Sequence, residues 1–453
     1  MLASEDAKNQ TLGLCPADCA VQLPIIAPLY FENSSDSTPE FMDFDILKTS
    51  FYHTLATCLP HALGTNLRKP TDGSPMSFLV TVNPTTPKLP PVTRHVDDEC
   101  TIAAMRQAGF LPHVQPKTIL CEMAKAVINP VGGDPLVALD VVYMSDGVGV
   151  LLMLSHGIVD MGAYCRFIVE WGLVAKVMAC GANGVPRGMD TDREKFWAQV
   201  TESAVPVSPT PFEEHLAELS AAGAEPTEAG KAPASLFILS ADVAAVKKLA
   251  QTRDAMCPGI SVPNFISALL MRVIASSYTE SKYAYFSSSL TVRNNPLFSE
   301  YWGNTSTAKY TYAPRAQLLE EGVGGVARWI QDCVREFSAG DFAHILGLFA
   351  MDNSWYVHSL NKYVGEAGVP KLLAVNISRS IPFYDIDFGW GRPVKVVYRS
   401  VCVPGLCFYM PQSRDGGIEV IICLAEVATN ALLADELILS HFVVAKIPGA
   451  EAD

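Results

Sequence analysis

The chain has 453 residues, 49% of them apolar and 18% charged, with a formal charge of −14. The length is about three times that of a typical domain, so two large domains are expected, and the apolar balance excludes general disorder. The acidity excludes nucleic acid as the main partner, because phosphate neutralisation needs clustered Lys and Arg, but an anionic cofactor over a local basic patch fits.

No window reaches about 18 consecutive apolar residues, so no membrane span is expected. The opening MLASEDAKNQ lacks the basic flank and apolar run of a signal peptide. Twelve cysteines are scattered, with close pairs only at Cys15/Cys19 and Cys402/Cys407 and no His nearby at zinc-site spacing. They are expected to be buried free thiols in a reducing, cytoplasmic setting, where sequons such as Asn33-Ser34-Ser35 carry no meaning.

In chain order, residues 22–32 (QLPIIAPLYFE) read as an early strand. Phe44 to Leu63 carries apolar residues at helical spacing (Ile46, Leu47, Phe51, Leu55, Cys58 and Leu59) and is closed by Gly64. Prolines at 84, 87, 90 and 91 break residues 76–95 into loop and short strand. Leu136–Met144 and Gly149–Leu154, separated by Ser145-Asp146-Gly147, predict a hairpin. The second strand runs into Ser155-His156, and a helix is expected from Met161 to Met178.

Residues 181–234, rich in Pro, Gly, Glu, Ser and Ala, read as a long surface linker between an N-terminal domain (1–180) and a C-terminal domain (235–453). The second half begins with a strand at Ser235–Leu239 and helices at Ala241–Ala250 and Asn264–Tyr278. A strand near Tyr283–Val292 follows, then helix from Ile330 to Phe349 with an interruption at Gly340. Short β-like runs at Leu372–Ile377, Val394–Tyr398, Leu406–Met410 and Gly417–Leu424 predict a late mixed sheet. The class is α/β in two halves.

Chemistry points to Ser155-His156-Gly157-Ile158-Val159-Asp160, at the end of a strand and before a helix. A His there has its backbone held by the sheet, and an imidazole titrating near 6.5 can take a proton from a hydroxyl. Asp160, at a helix start, suits the positive end of the helix dipole or an internal Arg better than direct chemistry. Alone, HxxxD equally fits a satisfied core His followed by a capping Asp. Asp387-Phe388-Gly389-Trp390-Gly391 lies about 230 residues later and, read alone, is a tight structural turn around a large ring.

Together, HGIVD and DFGWG in this order resemble the BAHD acyltransferase family. Leu55–Arg68 (LATCLPHALGTNLR), Leu290–Asn304 (LTVRNNPLFSEYWGN) and Val375–Pro393 resemble further family segments, so the likeness spans roughly residues 22–425.

The resemblance implies two chloramphenicol-acetyltransferase-like domains with a channel between them. It implies an acyl-CoA co-substrate, no permanently bound cofactor, no metal, and a monomer. His156 would be the catalytic base that frees a hydroxyl of a secondary metabolite to attack the thioester, with no covalent acyl-enzyme. Asp160 would pair with Arg293 to hold the His loop, and Asp387, Gly389, Trp390 and Gly391 would be structural. At the family's Thr and Trp positions before DFGWG stand Asn376 and Ser378, which would contact the intermediate or the acceptor. Arg392 and Lys395 are candidates for CoA phosphates. Alternatives are an N-acyltransferase, a condensation-type domain of modular peptide synthesis, and an inactive CoA-binding homologue. Ser155 before His156 and Met161 after Asp160 depart from the condensation pattern.

Overall fold

A computed structural model describes residues 10–15, 24–33, 41–68, 78–83, 87–118, 120, 136–181, 188–203, 209–222, 233–350, 372–398 and 403–451. Cys19, Cys121, Cys402 and Ser34–Ser35 lie outside these residues. The cysteines at 15, 58, 100, 165, 180, 257, 333, 407 and 423 are all free, and Cys180 is exposed. No helix among the described residues is long and apolar enough to cross a membrane.

The apolar run before the His motif becomes a hairpin of Val137–Met144 and Gly147–Ser155, paired antiparallel from Val137–Leu154 to Met144–Gly147. Its second strand starts two residues earlier than the sequence predicts. Gly147 is already in the ladder, where a Cβ would sit 2.3 Å from the Phe31 carbonyl. The turn is Ser145-Asp146, and the Asp146 carboxylate accepts from the amides of Ile102 and Ala103, satisfying the start of the helix Ile102–Gln107. Gly147–Ser155 is buried along its whole length, so an unbroken apolar run rather than an alternating one encodes it. It is central in a six-stranded sheet, flanked by Leu29–Glu32 and Val137–Met144, with Pro24–Ile26 pairing its far end. The early strand is therefore two pieces, broken at Ala27-Pro28.

Met161–Cys180 is the helix expected after the motif, prolonged to a left-handed Gly181 cap (φ 62°). The span read as a linker holds two helices among its described residues, Arg193–Ser203 and Pro211–Ala221. The second starts in a reciprocal Thr210/Glu213 capping box.

By internal contacts the chain forms two compact units, neither of them continuous in sequence. The first comprises 1–202, 292–306 and 381–399, and the second the remainder. This division differs from contiguous halves, and hydrogen bonds explain why. Trp302 donates to the Asp190 carbonyl (2.7 Å), and Lys395–Val396 pairs antiparallel with Leu29–Tyr30.

The second unit is built on a mixed seven-stranded sheet in which Leu372–Ile377 runs parallel to both Tyr283–Thr291 and Leu406–Tyr409. The helices Val262–Ser277 and Arg315–Arg335 pack on it through Phe265, Leu269, Val326 and Ile330. Arg315–Arg335 begins far earlier than the helix predicted from Ile330, and the chain breaks before Ala339–Ala350 rather than at Gly340. Glycines at 322, 324 and 325 masked its first half, and at Gly322 (φ 64°) the helix is indeed kinked. Beyond the expected elements, the chain forms the strands Ser306–Pro314 and Val443–Glu451 and the helix Glu426–Ala434.

Candidate active site

His156 is the first residue past the strand Gly147–Ser155 and opens a tight turn. The Ile158 amide donates to the Ser155 carbonyl (3.0 Å) and the Gly157 amide to Ser155 Oγ (3.1 Å). The ring is partly buried. Burial lowers its pKa from the ordinary 6.5, while a hydrogen bond to its own carbonyl and the charge of Asp160 oppose that shift.

Asn304, fully buried, flanks this residue. Its Oδ1 accepts from the Ser306 amide (3.1 Å), which fixes the orientation of the side-chain amide. Its Nδ2 then donates to the His156 carbonyl (3.1 Å) and lies 3.4 Å from His156 Nδ1.

Asp160 is the N-cap of Met161–Cys180 and accepts from the Ala163 amide (2.9 Å). The rest of the carboxylate faces inward, 2% exposed as a residue. Arg293 grips it with both terminal nitrogens, Nη1 to Oδ1 (3.0 Å) and Nη2 to Oδ2 (2.9 Å). Thr305 adds its amide (3.0 Å) and its hydroxyl (2.7 Å). Burial would push this carboxyl up, but the Arg293 charge and the converging hydrogen bonds hold it at about 2. Arg293 is itself held, through Nε to the Tyr301 carbonyl and Nη2 to the Gly303 carbonyl, and it lies 4.8 Å from the Trp302 ring centroid. Gly162 makes room for it, since a Cβ there would stand 2.8 Å from Arg293 Nη1.

In DFGWG, Asp387 Oδ1 accepts from the amides of Gly389 (2.8 Å) and Gly391 (3.2 Å), while Oδ2 meets Lys176 Nζ at 2.6 Å. Gly389 (φ 103°) and Gly391 (φ 108°) occupy backbone conformations that disfavour a side chain. The ring that anchors the loop is Phe388, fully buried with its centroid 4.6 Å from that of Trp171; Trp390 is only partly buried. The site helix contributes both Lys176 and Trp171 to these contacts.

One family profile decides the identification: that of the Transferase family matches residues 112–435. The chain belongs to this family, the BAHD acyltransferases. Stemmadenine O-acetyltransferase of Catharanthus roseus is 35% identical over 74 residues, 16% of this chain and 18% of that protein. Agmatine coumaroyltransferase of Arabidopsis thaliana is 27% identical over 143 residues, 31% of this chain and 29% of that protein. The aligned stretches therefore span less than a third of either curated relative. F. graminearum TRI101, solved with coenzyme A and T-2 mycotoxin, superposes with a TM-score of 0.70 at 16% identity. That match covers 97% of this chain and 100% of TRI101, so the fold is the one expected from the sequence.

In this BAHD chain the structure brings together His156, Asp160 and Arg293, all in the first unit, and links Asp387, Gly389 and Gly391 to the same helix that Asp160 caps. Asn376 and Ser378 belong to the second unit, at the end of Leu372–Ile377. Ser378 is buried, its amide donating to the Tyr409 carbonyl (3.1 Å) and its hydroxyl to Asn376 Oδ1 (3.5 Å). Arg392 pairs with Asp385 at the surface (3.3 Å), and Lys395 Nζ lies 5.8 Å from the Phe110 ring centroid. Sequence reasoning missed Asn304 and Thr305 as site residues. Asn304 ends Tyr301-Trp302-Gly303-Asn304, and a polar residue closing an aromatic–glycine run was the available signal.

Proposed function

We propose that the protein is an acyl-CoA-dependent O-acyltransferase acting on a hydroxyl of a small secondary metabolite, with His156 as general base. The observation that carries this reading is the setting of His156. Its Nδ1 lies 3.4 Å from Asn304 Nδ2, and the ring hydrogen-bonds its own carbonyl. A proton on Nδ1 can be donated to that carbonyl, which leaves the Nε2 lone pair to accept one from the acceptor hydroxyl. The freed oxygen attacks the thioester carbonyl, and the tetrahedral intermediate collapses with expulsion of the CoA thiolate. The thiolate takes back the proton from His156, so the enzyme ends as it began. Asp160, held ionised by Arg293, shapes the loop and takes no part in proton transfer.

A direct transfer agrees with the chemistry of a thiol on the helix that Asp160 caps. Burial pushes the Cys165 pKa far above its ordinary value, which makes it a poor nucleophile. Asn376 is the residue we assign to the intermediate's oxygen, by the match of its position to the family's Thr. Arg392 and Lys395 are the residues we assign to the CoA phosphates, since the exposed Asp385 pair and the Phe110 contact hold them only weakly. The free cysteines favour a reducing cytoplasmic setting, and a monomer is expected by size exclusion.

A second reading, N-acylation of an amine, is favoured by the match to agmatine coumaroyltransferase. Thiol release from acetyl-CoA and p-coumaroyl-CoA across panels of alcohols and amines, with mass spectrometry of products, separates the two. His156→Ala should abolish turnover while leaving the melting temperature within a few degrees. A folded variant with full activity would refute the base assignment.

A further inference from the structure

The span 181–234 reads as a spacer, yet its first helix is tied into the loop that carries His156. The Asp192 side chain accepts from the Lys195 amide (2.9 Å), and Asp192 thereby starts the helix Arg193–Ser203. Arg193, its first residue, is only 2% exposed. Its Nη2 donates to the Ile158 carbonyl at 2.8 Å, within the turn between His156 and Asp160. Its Nη1 donates to the Thr191 carbonyl (3.1 Å) and faces His61 Nδ1 at 3.1 Å. A guanidinium has donors only, so His61 must present a lone pair and stay neutral. Burial, and then the Arg193 charge, hold its pKa well below 6.5.

The same short span also reaches the other side of the loop. Phe196 stacks on Tyr301 with centroids 4.0 Å apart and planes 6° from parallel. The Asp190 carbonyl accepts from the Trp302 amide (2.7 Å), two residues before Asn304, which holds His156. A spacer needs neither a buried cation nor a stacked ring. Here both fall on the segments that flank His156.

We propose that Arg193 is a positioning residue that sets the placement of His156 by pinning the Ile158 carbonyl, with Asp190–Phe196 bracing both sides of the loop. This deepens, and rests on, the reading of His156 as the base. With the carbonyl released, the turn can rotate, water reaches the ring, and the geometry required for proton transfer is lost. A misplacement of about 1 Å is enough to cost on the order of a hundredfold in rate.

The test follows the ring of His156 by NMR in protein labelled with 15N-histidine, its resonance identified by its loss in His156→Gln. The charged group facing His156 is Asp160, itself bound by Arg293, so a shift on altering Arg193 reports geometry. Arg193→Gln should move the His156 pKa up towards 6.5, as burial is relieved. His61 should rise in the same spectra and serves as the internal control. With acetyl-CoA and agmatine or benzyl alcohol as probe acceptors, kcat should fall about ten- to a hundredfold with KM for acetyl-CoA within about twofold. A folded Arg193→Gln protein whose His156 titration superimposes on wild type overturns the proposal. Should that variant not fold, Arg193→Met, which fills similar space but offers no donor to the Ile158 carbonyl, must shift the titration in the same direction; an unshifted curve overturns the proposal equally. An active His156→Ala would refute the base reading alone, because the titration is measured whether or not His156 catalyses.

Discussion

Asp160→Asn keeps the shape of the side chain and removes its charge, leaving the Arg293 guanidinium, with a side chain only 13% exposed, facing a neutral amide. The magnitude follows from the site. The carboxyl is held from 3.8 to about 2, which at about 1.4 kcal/mol per tenfold is roughly 2–3 kcal/mol of folding stability at neutral pH. Stranding a buried partner adds to this, and breaking such pairs costs about 3–5 kcal/mol, so about 3 kcal/mol is a conservative expectation. For a unit of roughly 200 residues that lowers Tm by about 6–12 °C. Thermal unfolding followed by circular dichroism measures it. The pH dependence has a definite sign. A depressed carboxyl pKa stabilises fully above the unfolded value of 3.8, and the benefit disappears as pH falls through about 2. The gap between wild type and variant should therefore be full at pH 6 and close between about pH 4 and pH 2. A double-mutant cycle with Arg293→Met should return most of the loss as coupling. A variant melting within about 1 °C of wild type at pH 6 would refute the view that this pair holds the loop.

Two further outcomes concern activity. Because burial lowers the His156 pKa, the acid limb of kcat/KM should fall below pH 6.5, with rate lost as the ring protonates; a limb above 6.5 would contradict the burial of the ring. Asn376→Ala should lower kcat with little change in KM for acetyl-CoA if its amide meets the developing oxyanion, and unchanged kcat and KM would remove it from the site.

The legible parts of the site were those whose hydrogen bonds are local in sequence. Asp160 caps the helix that begins one residue later, and Asp387 closes on Gly389 and Gly391. Spacing alone encodes such contacts. Arg293 was reachable only through the family likeness, because 133 residues separate it from Asp160. Asn304 has only the aromatic–glycine run before it as a signal and Arg193 has none, as each bonds a backbone carbonyl of a distant turn. The hairpin and site helix were plain from apolar patterning, whereas Pro and Gly composition hid real helices. At Pro211–Ala221, Thr210 and Glu213 spelt out a capping box within that composition. At Arg315–Arg335, three glycines outweighed an amphipathic pattern.

The stretch Val292–Ser306 joins two strands of the second unit yet belongs to the first, as does Ile381–Arg399. During synthesis the ribosome delivers His156 and Asp160 long before Arg293, Asn304 or the strand at Lys395–Val396. The nascent first unit must therefore wait, its Asp160 carboxylate unmatched until about two-thirds of the chain has emerged and its sheet edge open until nearly nine-tenths has. No contiguous fragment ending before residue 292 contains a finished His loop, so the unit cannot be excised as a minimal enzyme. Its assembly waits on residues as far along the chain as 399.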